Sequence, residues 1–363
     1  MKDLTILIKP ASSLCNMRCD YCFYHDVSER REVRSFGIMN LTVLETLIRR
    51  AFAFAQRSVS FVFQGGEPLV AGIDLFKAAI AYQRKYNSRG ITVYNTVQTN
   101  GTLIDEDTAA FFSANKFLVG VSLDGDQVLH DKHRRLADGT GSYEQVMAGI
   151  GLLKKHRVDF NILAVISKDS AASPSKVYSA LKEYGYLQFI PLIDNLGEES
   201  DFSLTPEDYG RFLVETFELY YRDIMNGKYV SVRDFDSYIN MLRGMPPSSC
   251  AMAGKCGGYF TVEADGSVYP CDFYVTDEYR IGNVTESSFF SLIKSEGLQL
   301  FVNGSVTESE QCRECKWFRL CRGGCRRHRE PFPTINKFCR AYSYFFGKCY
   351  DKMCKIADML RRR

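Results

Sequence analysis

The sequence has no marked excess of charge of either sign and no long hydrophobic run. Its 46 basic and 43 acidic residues leave a formal net charge of +3, which is too balanced to indicate a nucleic-acid-binding protein. No apolar run approaches the length that spans a bilayer, and the residues after Met1 do not have the pattern of a signal peptide. We therefore expect a cytoplasmic, monomeric protein with neither a membrane nor a nucleic-acid partner.

Cysteine, by contrast, is plentiful, with 13 residues in a chain of 363. In a reducing compartment, closely spaced cysteines indicate metal ligands rather than disulfides. Ten of the 13 lie between Cys250 and Cys354, where the periodicity typical of helices and strands is poor. Because such a region buries little apolar surface of its own, we expect bound metal to organise it.

The first two-thirds of the chain alternates strand-like and helix-like segments. β-Branched and aromatic segments predict strands at residues 5–9, 58–63, 92–98, 117–123, 160–166 and 187–192. Amphipathic segments predict helices at residues 41–56, 74–87, 105–115, 143–156, 174–184 and 205–226. Six strand–helix units predict an α/β fold, a partial (β/α)6 TIM-type barrel over residues 1–234. The change in composition predicts a separate cysteine-rich domain over residues 235–363.

Polar and glycine-rich segments follow three of the predicted strands, at residues 64–68, 98–101 and 122–125. The carboxyl ends of parallel strands form the ligand-binding edge of such a sheet. Each segment alone is also typical of an ordinary turn between strand and helix. Their shared position in the strand–helix units favours one common site.

The first cysteine cluster, Cys15-x3-Cys19-x2-Cys22, lies in the loop after the first predicted strand. Three thiolates are too few for a structural zinc site, which normally has four protein ligands. A four-iron cluster held by three cysteines leaves one iron open to a small molecule. A zinc site completed by His25 is the alternative on spacing alone.

This cluster, with aromatic Tyr21 and Phe23 around its last cysteine, resembles the motif of the radical S-adenosylmethionine (SAM) superfamily. The resemblance implies that SAM binds the open iron and yields a 5′-deoxyadenosyl radical. Residues 65–68, Gly-Gly-Glu-Pro, resemble the motif that holds the SAM amino group in that superfamily. By the same resemblance, the SAM-binding residues are Gly65, Gly66, Glu67, Ser122, Asp124 and Arg134.

The later cysteines resemble the SPASM extension, which binds auxiliary iron–sulfur clusters. Their order and spacing match that pattern throughout, although pairs of zinc sites also use Cys-x2-Cys. The resemblance implies that Cys250, Cys256, Cys271 and Cys325 hold the first auxiliary [4Fe-4S] cluster. It implies that Cys312, Cys315, Cys321 and Cys339 hold the second, which makes three clusters in all.

Within the superfamily, the chain is similar over nearly its whole length to the anaerobic sulfatase-maturating enzymes. Segments at residues 8–13, 22–25, 63–68, 98–105, 265–274 and 315–321 carry this similarity. It implies oxidation of a cysteine or serine in a Cys/Ser-x-Pro-x-Arg motif of an unfolded or nascent sulfatase to Cα-formylglycine, without oxygen. Asp272 matches the position of the proposed general base, and Tyr24 and Gln64 match positions that line the active site.

Several alternatives remain open at this stage. Asp272 is also typical of a residue that hydrogen-bonds to backbone beside a cluster, and Tyr24 of an aromatic packed over one. A SPASM enzyme that forms a thioether or carbon–carbon crosslink in a peptide is the main rival, and a non-catalytic zinc-ribbon protein is the second. A reductant such as ferredoxin or flavodoxin is the implied electron donor.

Overall fold

The protein is described from a computed structural model, which covers residues 2–194, 200–307, 309–330 and 335–361. Packing of the chain divides it into two units. Unit 1 comprises Met1–Ser122, Arg134–Phe160 and Gly257–Phe301, and unit 2 comprises Leu123–His133, Asn161–Cys256 and Val302–Arg363.

The secondary structure contains ten described strands and sixteen α-helices. The strands are β1 (Asp3–Ile8), β2 (Ser58–Phe63), β3 (Thr92–Thr99), β4 (Leu118–Ser122), β5 (Asp159–Ile166), β6 (Tyr186–Pro191), β7 (Ser231–Val232), β8 (Phe260–Val262), β9 (Ser267–Tyr269) and β10 (Gly282–Asn283). The helices are α1 (Phe23–Glu29), α2 (Leu41–Phe54), α3 (Ile73–Tyr86), α4 (Glu106–Ala114), α5 (Gln127–His133), α6 (Tyr143–Lys155), α7 (Lys168–Ala171), α8 (Pro174–Leu181), α9 (Pro206–Met225), α10 (Arg233–Leu242), α11 (Cys250–Ala253), α12 (Phe289–Leu292), α13 (Glu296–Asn303), α14 (Glu310–Arg313), α15 (Phe318–Cys321) and α16 (Cys339–Arg361).

The six predicted strands and six predicted helices are all confirmed, with small shifts at their ends. The largest shift is at α8, because the predicted last turn, Lys182–Tyr184, is a 3₁₀ helix instead. The start of α9 follows from its sequence. The Thr205 hydroxyl accepts a hydrogen bond of 3.1 Å from the Asp208 amide, and Pro206 fills the first helical position, where no amide donor is needed.

In unit 1, strands β1 to β4 pair in parallel in chain order, and β8 pairs in parallel with the free side of β1. Strands β9 and β10 extend that side in antiparallel fashion. The register aligns Ile8 with Phe63 and Phe63 with Val97, so these strands end at the same edge. This edge positions the polar turns that follow each strand.

The core of unit 1 lies between this sheet and the helices that cover it. Strand β2 alternates buried and half-buried residues, and Phe63 packs on Phe76 of α3 with ring centroids 5.0 Å apart. Phe112 of α4 packs on Phe117 with centroids 4.9 Å apart. These aromatic contacts fix α3 and α4 on the sheet, since large buried rings contribute most to the apolar area removed from water.

In unit 2, β5, β6 and β7 pair in parallel, and the long helix α16 packs along α9. Phe345 of α16 lies with its ring centroid 5.6 Å from that of Phe217 of α9. Cys349 of α16 is fully buried in this interface. None of the helices in the described residues is both long and apolar enough to cross a membrane.

Candidate functional site

The glycine-rich turn after β2 packs directly against the loop that carries the first cysteine cluster. Gly66 has a φ of +56°, and a Cβ built on it would lie 2.3 Å from the Leu14 carbonyl oxygen. The next amide, that of Glu67, donates a 2.8 Å hydrogen bond to the same carbonyl. Only glycine fits this left-handed position against the neighbouring backbone.

We therefore expect Gly66→Ala to destabilise the protein and weaken SAM binding. Gly90→Ala is the matched control, because Gly90 has a similar φ of +62° with open space around its Cβ position. The control should lose only the roughly 1 kcal/mol of left-handed strain, whereas Gly66→Ala adds a backbone clash. Denaturant unfolding and SAM titration measure both effects. Equal losses in the two variants would show that the contact with Leu14 is unimportant.

Glu67 is a buried carboxylate inside unit 1. It accepts hydrogen bonds from the Thr99 hydroxyl at 2.7 Å, the Asn100 amide at 2.7 Å and the Leu69 amide at 3.0 Å. Burial raises the pKa of Glu67 to about 7, although these hydrogen bonds oppose the shift. A nearby cation stabilises the charged form of a buried carboxylate, so Glu67 is suited to bind a positively charged amino group.

The first cysteine cluster lies beside this turn. The Cys15 sulfur accepts from the Met17 amide at 3.4 Å, and the Asn100 side-chain amide is 3.9 Å from it. Desolvation, together with the charges of Glu67 and Cys22, raises the pKa of Cys15 to about 11. A bound metal group would relieve this penalty, because its ligands are thiolates. His25, which is the alternative fourth ligand of a zinc site, is exposed.

Residues 134–137 hold the other side of the cysteine loop. The Arg18 amide donates to the Arg135 carbonyl at 2.8 Å, and Met17 pairs with Leu136 in an antiparallel bridge. The guanidinium of Arg134 is buried, 5.4 Å from the centroid of the Tyr21 ring. Arg134, rather than exposed Arg135, is thus the arginine packed against the cysteine motif.

Ser122 and Asp124, the remaining predicted SAM ligands, belong to different units. Ser122 ends β4 of unit 1. In unit 2, the buried Asp124 carboxylate accepts a 2.8 Å hydrogen bond from the Val165 amide of β5. This bond fixes the start of the Asp124 loop on the end of the next strand.

Asp272, Tyr24 and Gln64 form one hydrogen-bonded group in unit 1. The Tyr24 hydroxyl donates to one Asp272 carboxylate oxygen at 3.2 Å. The Gln64 side-chain amide donates to the Tyr24 hydroxyl at 2.6 Å and reaches the same Asp272 oxygen at 3.4 Å. The sequence resemblance placed these three residues near one another, and the structure brings them into contact.

Tyr259 is a fourth member of this group that the sequence reasoning missed. Its hydroxyl donates to the second Asp272 oxygen at 2.5 Å and lies 3.2 Å from the Cys271 sulfur. Burial and the charge of Asp272 raise the pKa of both Tyr24 and Tyr259 well above the usual value, so both phenols stay protonated donors. Nothing in the local sequence singles out Tyr259, which precedes an ordinary short strand.

Seven of the eight carboxy-terminal cysteines that the SPASM resemblance names lie in unit 2, and the eighth, Cys271, lies in unit 1. Burial raises the pKa of Cys321 to about 11, and its nearby cysteines Cys339, Cys312 and Cys315 add to the shift. Burial likewise raises the pKa of Cys325 to about 12, and there Cys250 and Cys256 contribute. Grouped, desolvated thiols of this kind suit a metal cluster, which takes them as thiolates.

Among the described residues, no three His, Cys, Asp or Glu side chains converge closely enough to hold a single metal ion.

Comparison with known proteins agrees with this geometry. Residues 10–174 match the radical SAM superfamily, and residues 250–316 match SPASM, an iron–sulfur cluster-binding domain. The chain is 45% identical to the cysteine-type anaerobic sulfatase-maturating enzyme of Clostridium novyi, over the full length of both chains. It is 32% identical to the serine-type enzyme of Bacteroides thetaiotaomicron, over 95% of this chain and 89% of that one.

A solved structure of native anSMEcpe with bound AdoMet and Cp18Cys peptide superimposes with a TM-score of 0.95 at 42% identity. The match covers 99% of this chain and 100% of that one. The predicted fold class, an α/β radical SAM partial barrel with a C-terminal SPASM domain, is confirmed. SAM and iron–sulfur clusters as cofactors are confirmed as well.

Proposed function

This chain belongs to the anaerobic sulfatase-maturating family of radical SAM enzymes, and from that premise we propose that it oxidises one residue of a sulfatase to Cα-formylglycine without oxygen. The observation that carries the proposal is the Asp272 group, in which a buried carboxylate is held by Tyr24, Gln64 and Tyr259 in a chain related to such enzymes along its whole length.

The cysteine groups supply the ligands of three clusters in this proposal. The SAM-binding cluster is held by Cys15, Cys19 and Cys22, the first auxiliary cluster by Cys250, Cys256, Cys271 and Cys325, and the second by Cys312, Cys315, Cys321 and Cys339. The assignment follows the SPASM resemblance. The charges that help to raise the pKa of Cys321 and of Cys325 come from cysteines of the same proposed group in each case, which supports it. The domain boundary after residue 234 remains a prediction as well.

The SAM-binding residues act by charge and shape. Glu67 binds the SAM amino group through its buried carboxylate, and Arg134 binds the SAM carboxylate with a planar guanidinium. The turn at Gly65 and Gly66 lets the backbone approach the cofactor. When bound, SAM and the reduced cluster supply the radical that takes a Cβ hydrogen atom, and the auxiliary clusters supply an acceptor for one further electron.

Asp272 completes the oxidation as the proton acceptor. The substrate side chain must also lose the proton of its thiol or hydroxyl group, and a carboxylate within hydrogen-bond reach can accept it. A serine then gives the aldehyde directly, whereas a cysteine gives a thioaldehyde, which water hydrolyses to the aldehyde with release of hydrogen sulfide. Three donors hold the carboxylate in place: the hydroxyls of Tyr24 and Tyr259 and the amide of Gln64. Its orientation is thereby set before substrate arrives, which is the condition for efficient proton transfer.

The substrate in this proposal is an unfolded or nascent sulfatase that presents a Cys/Ser-x-Pro-x-Arg motif, and the electron donor is a ferredoxin or flavodoxin. The relatives that are 43–45% identical to this chain are cysteine-type enzymes, whereas the serine-type relatives are 32% identical. We therefore propose that cysteine is the preferred target residue.

We expect the anaerobically reconstituted enzyme, given SAM and a strong reductant, to oxidise a Cys-x-Pro-x-Arg peptide faster than its serine twin. Mass spectrometry follows the peptide and deoxyadenosine together. A peptide mass loss that matches the aldehyde supports formylglycine formation. A crosslinked product, which would have lost only hydrogen and kept its sulfur, would instead favour the rival peptide maturase.

A further inference from the structure

Lys9, Arg31 and Glu263 form a buried ion triad in unit 1, next to Tyr24 of the Asp272 group. The Lys9 ammonium is 2.9 Å from a carboxylate oxygen of Glu263, and the Arg31 guanidinium is 2.5 Å from the same oxygen. All three side chains are at most 1% exposed. Buried charges are costly unless they are paired, so a triad with two cations and one anion requires an explanation.

The triad joins the segments that carry the reacting groups. Lys9 follows β1, and Arg31 follows α1, the helix that carries Tyr24. Glu263 follows β8, whose partner strand β9 leads to Asp272. Burial would raise the pKa of Glu263, but the charges of Lys9 and Arg31 outweigh it and lower the pKa, so the carboxylate stays ionised. One carboxylate thus ties three separate segments together.

Lys9 is the member of the triad that lies against the Tyr24 ring. Its ammonium lies 5.4 Å from the centroid of the Tyr24 ring. Its methylene stem fills the space where a side chain at Gly65 would lie, since a Cβ there would be 2.6 Å from the Lys9 Cγ and 2.7 Å from its Cε. Burial lowers the pKa of Lys9, and the charges of Glu263 and Asp272 oppose that shift.

The two cations of the triad face two carboxylates, one within the triad and one outside it. Glu263 neutralises one of the two cations, and Asp272 is the other carboxylate whose charge acts on Lys9. The Tyr24 ring lies over the ammonium, and its hydroxyl donates to Asp272. The attraction between a cation and the face of an aromatic ring stabilises the ring in this position.

We propose that Lys9 is a positioning residue for the oxidation, which holds the Tyr24 ring so that its hydroxyl stays on Asp272. This inference rests on the proposed function and extends it to a residue to which the family resemblance assigns no role. Glu263 and Arg31 fix the ammonium, and the Gly65 turn closes over the stem.

Lys9→Met tests this role, because it keeps the stem and leaves Arg31 and Glu263 as a charge-balanced pair. We expect normal iron content and continued deoxyadenosine formation, but a fall of about tenfold or more in aldehyde formed per deoxyadenosine. The loss should appear in kcat, with KM for the peptide little changed. Lys77→Met, at an exposed lysine of α3, is the control.

A double variant separates positioning from general damage. If Lys9 acts through the Tyr24 hydroxyl, Lys9→Met should cause little further loss in a Tyr24→Phe background. If the losses of the two single variants multiply in the double variant, the proposal is overturned. A wild-type ratio of aldehyde to deoxyadenosine in Lys9→Met alone would also overturn it.

If Lys9→Met fails to assemble its clusters, Lys9→Gln takes its place, because glutamine keeps a neutral donor to Glu263. The ratio of aldehyde to deoxyadenosine is then measured in that variant. If the wild-type enzyme forms a peptide product other than the aldehyde, the proposed function fails. The ratio of that product to deoxyadenosine then tests Lys9 in the same way.

Discussion

Asp272→Asn is expected to abolish aldehyde formation while deoxyadenosine production continues. The substitution keeps the shape of the side chain but removes the basic oxygen that would accept the substrate proton. It also replaces one of the two carboxylate oxygens, which accept from Tyr24 and Tyr259, with an amide donor. Loss of a general base costs about 10²–10⁴-fold in rate. Mass spectrometry of peptide and nucleoside in one reaction measures both products.

Asp277→Asn is the matched control for this experiment. Asp277 lies five residues further along the same segment, is exposed, and accepts a hydrogen bond of 2.8 Å from the Glu32 amide. The control should keep the wild-type aldehyde yield. If Asp272→Asn also keeps it, the carboxylate is only a structural partner of the tyrosines, and another group accepts the proton.

Replacing Cys15, Cys19 and Cys22 together with alanine is expected to abolish SAM cleavage altogether. Without these thiolates the SAM-binding cluster cannot form, so neither deoxyadenosine nor aldehyde should appear. Iron content should fall by about four atoms per chain, the content of one cluster, while the auxiliary clusters persist. Iron analysis and chromatography of deoxyadenosine provide the measurement.

Cys349→Ala is the control for this variant, because Cys349 is fully buried in α16 and belongs to none of the three predicted ligand groups. It should keep all its iron and its activity, with only the modest loss of stability that follows removal of a buried sulfur. If the triple variant keeps its full iron content, the first cysteine motif does not hold a cluster.

The sequence by itself determined the order of strands and helices, and its resemblance to the radical SAM superfamily and the SPASM extension identified the cofactors. Strand β2 and helix α2 were predictable because their apolar residues recur at the period of the element they form. The candidate cysteine ligands stand out because metal binding constrains the spacing of neighbouring residues along the chain, and the family resemblance assigns them to clusters. Both kinds of pattern are local and can be read from the sequence alone.

Only the tertiary structure showed which side chains contact one another in the Asp272 group. Tyr24 and Asp272 are 248 residues apart in sequence, and Lys9 and Glu263 are 254 apart, yet each pair is in contact. It also showed that residues 257–301 pack with the amino-terminal unit. Tyr259 and the Lys9 triad leave no local pattern, because their energies depend on burial and on partners that parallel strand pairing brings to the same place.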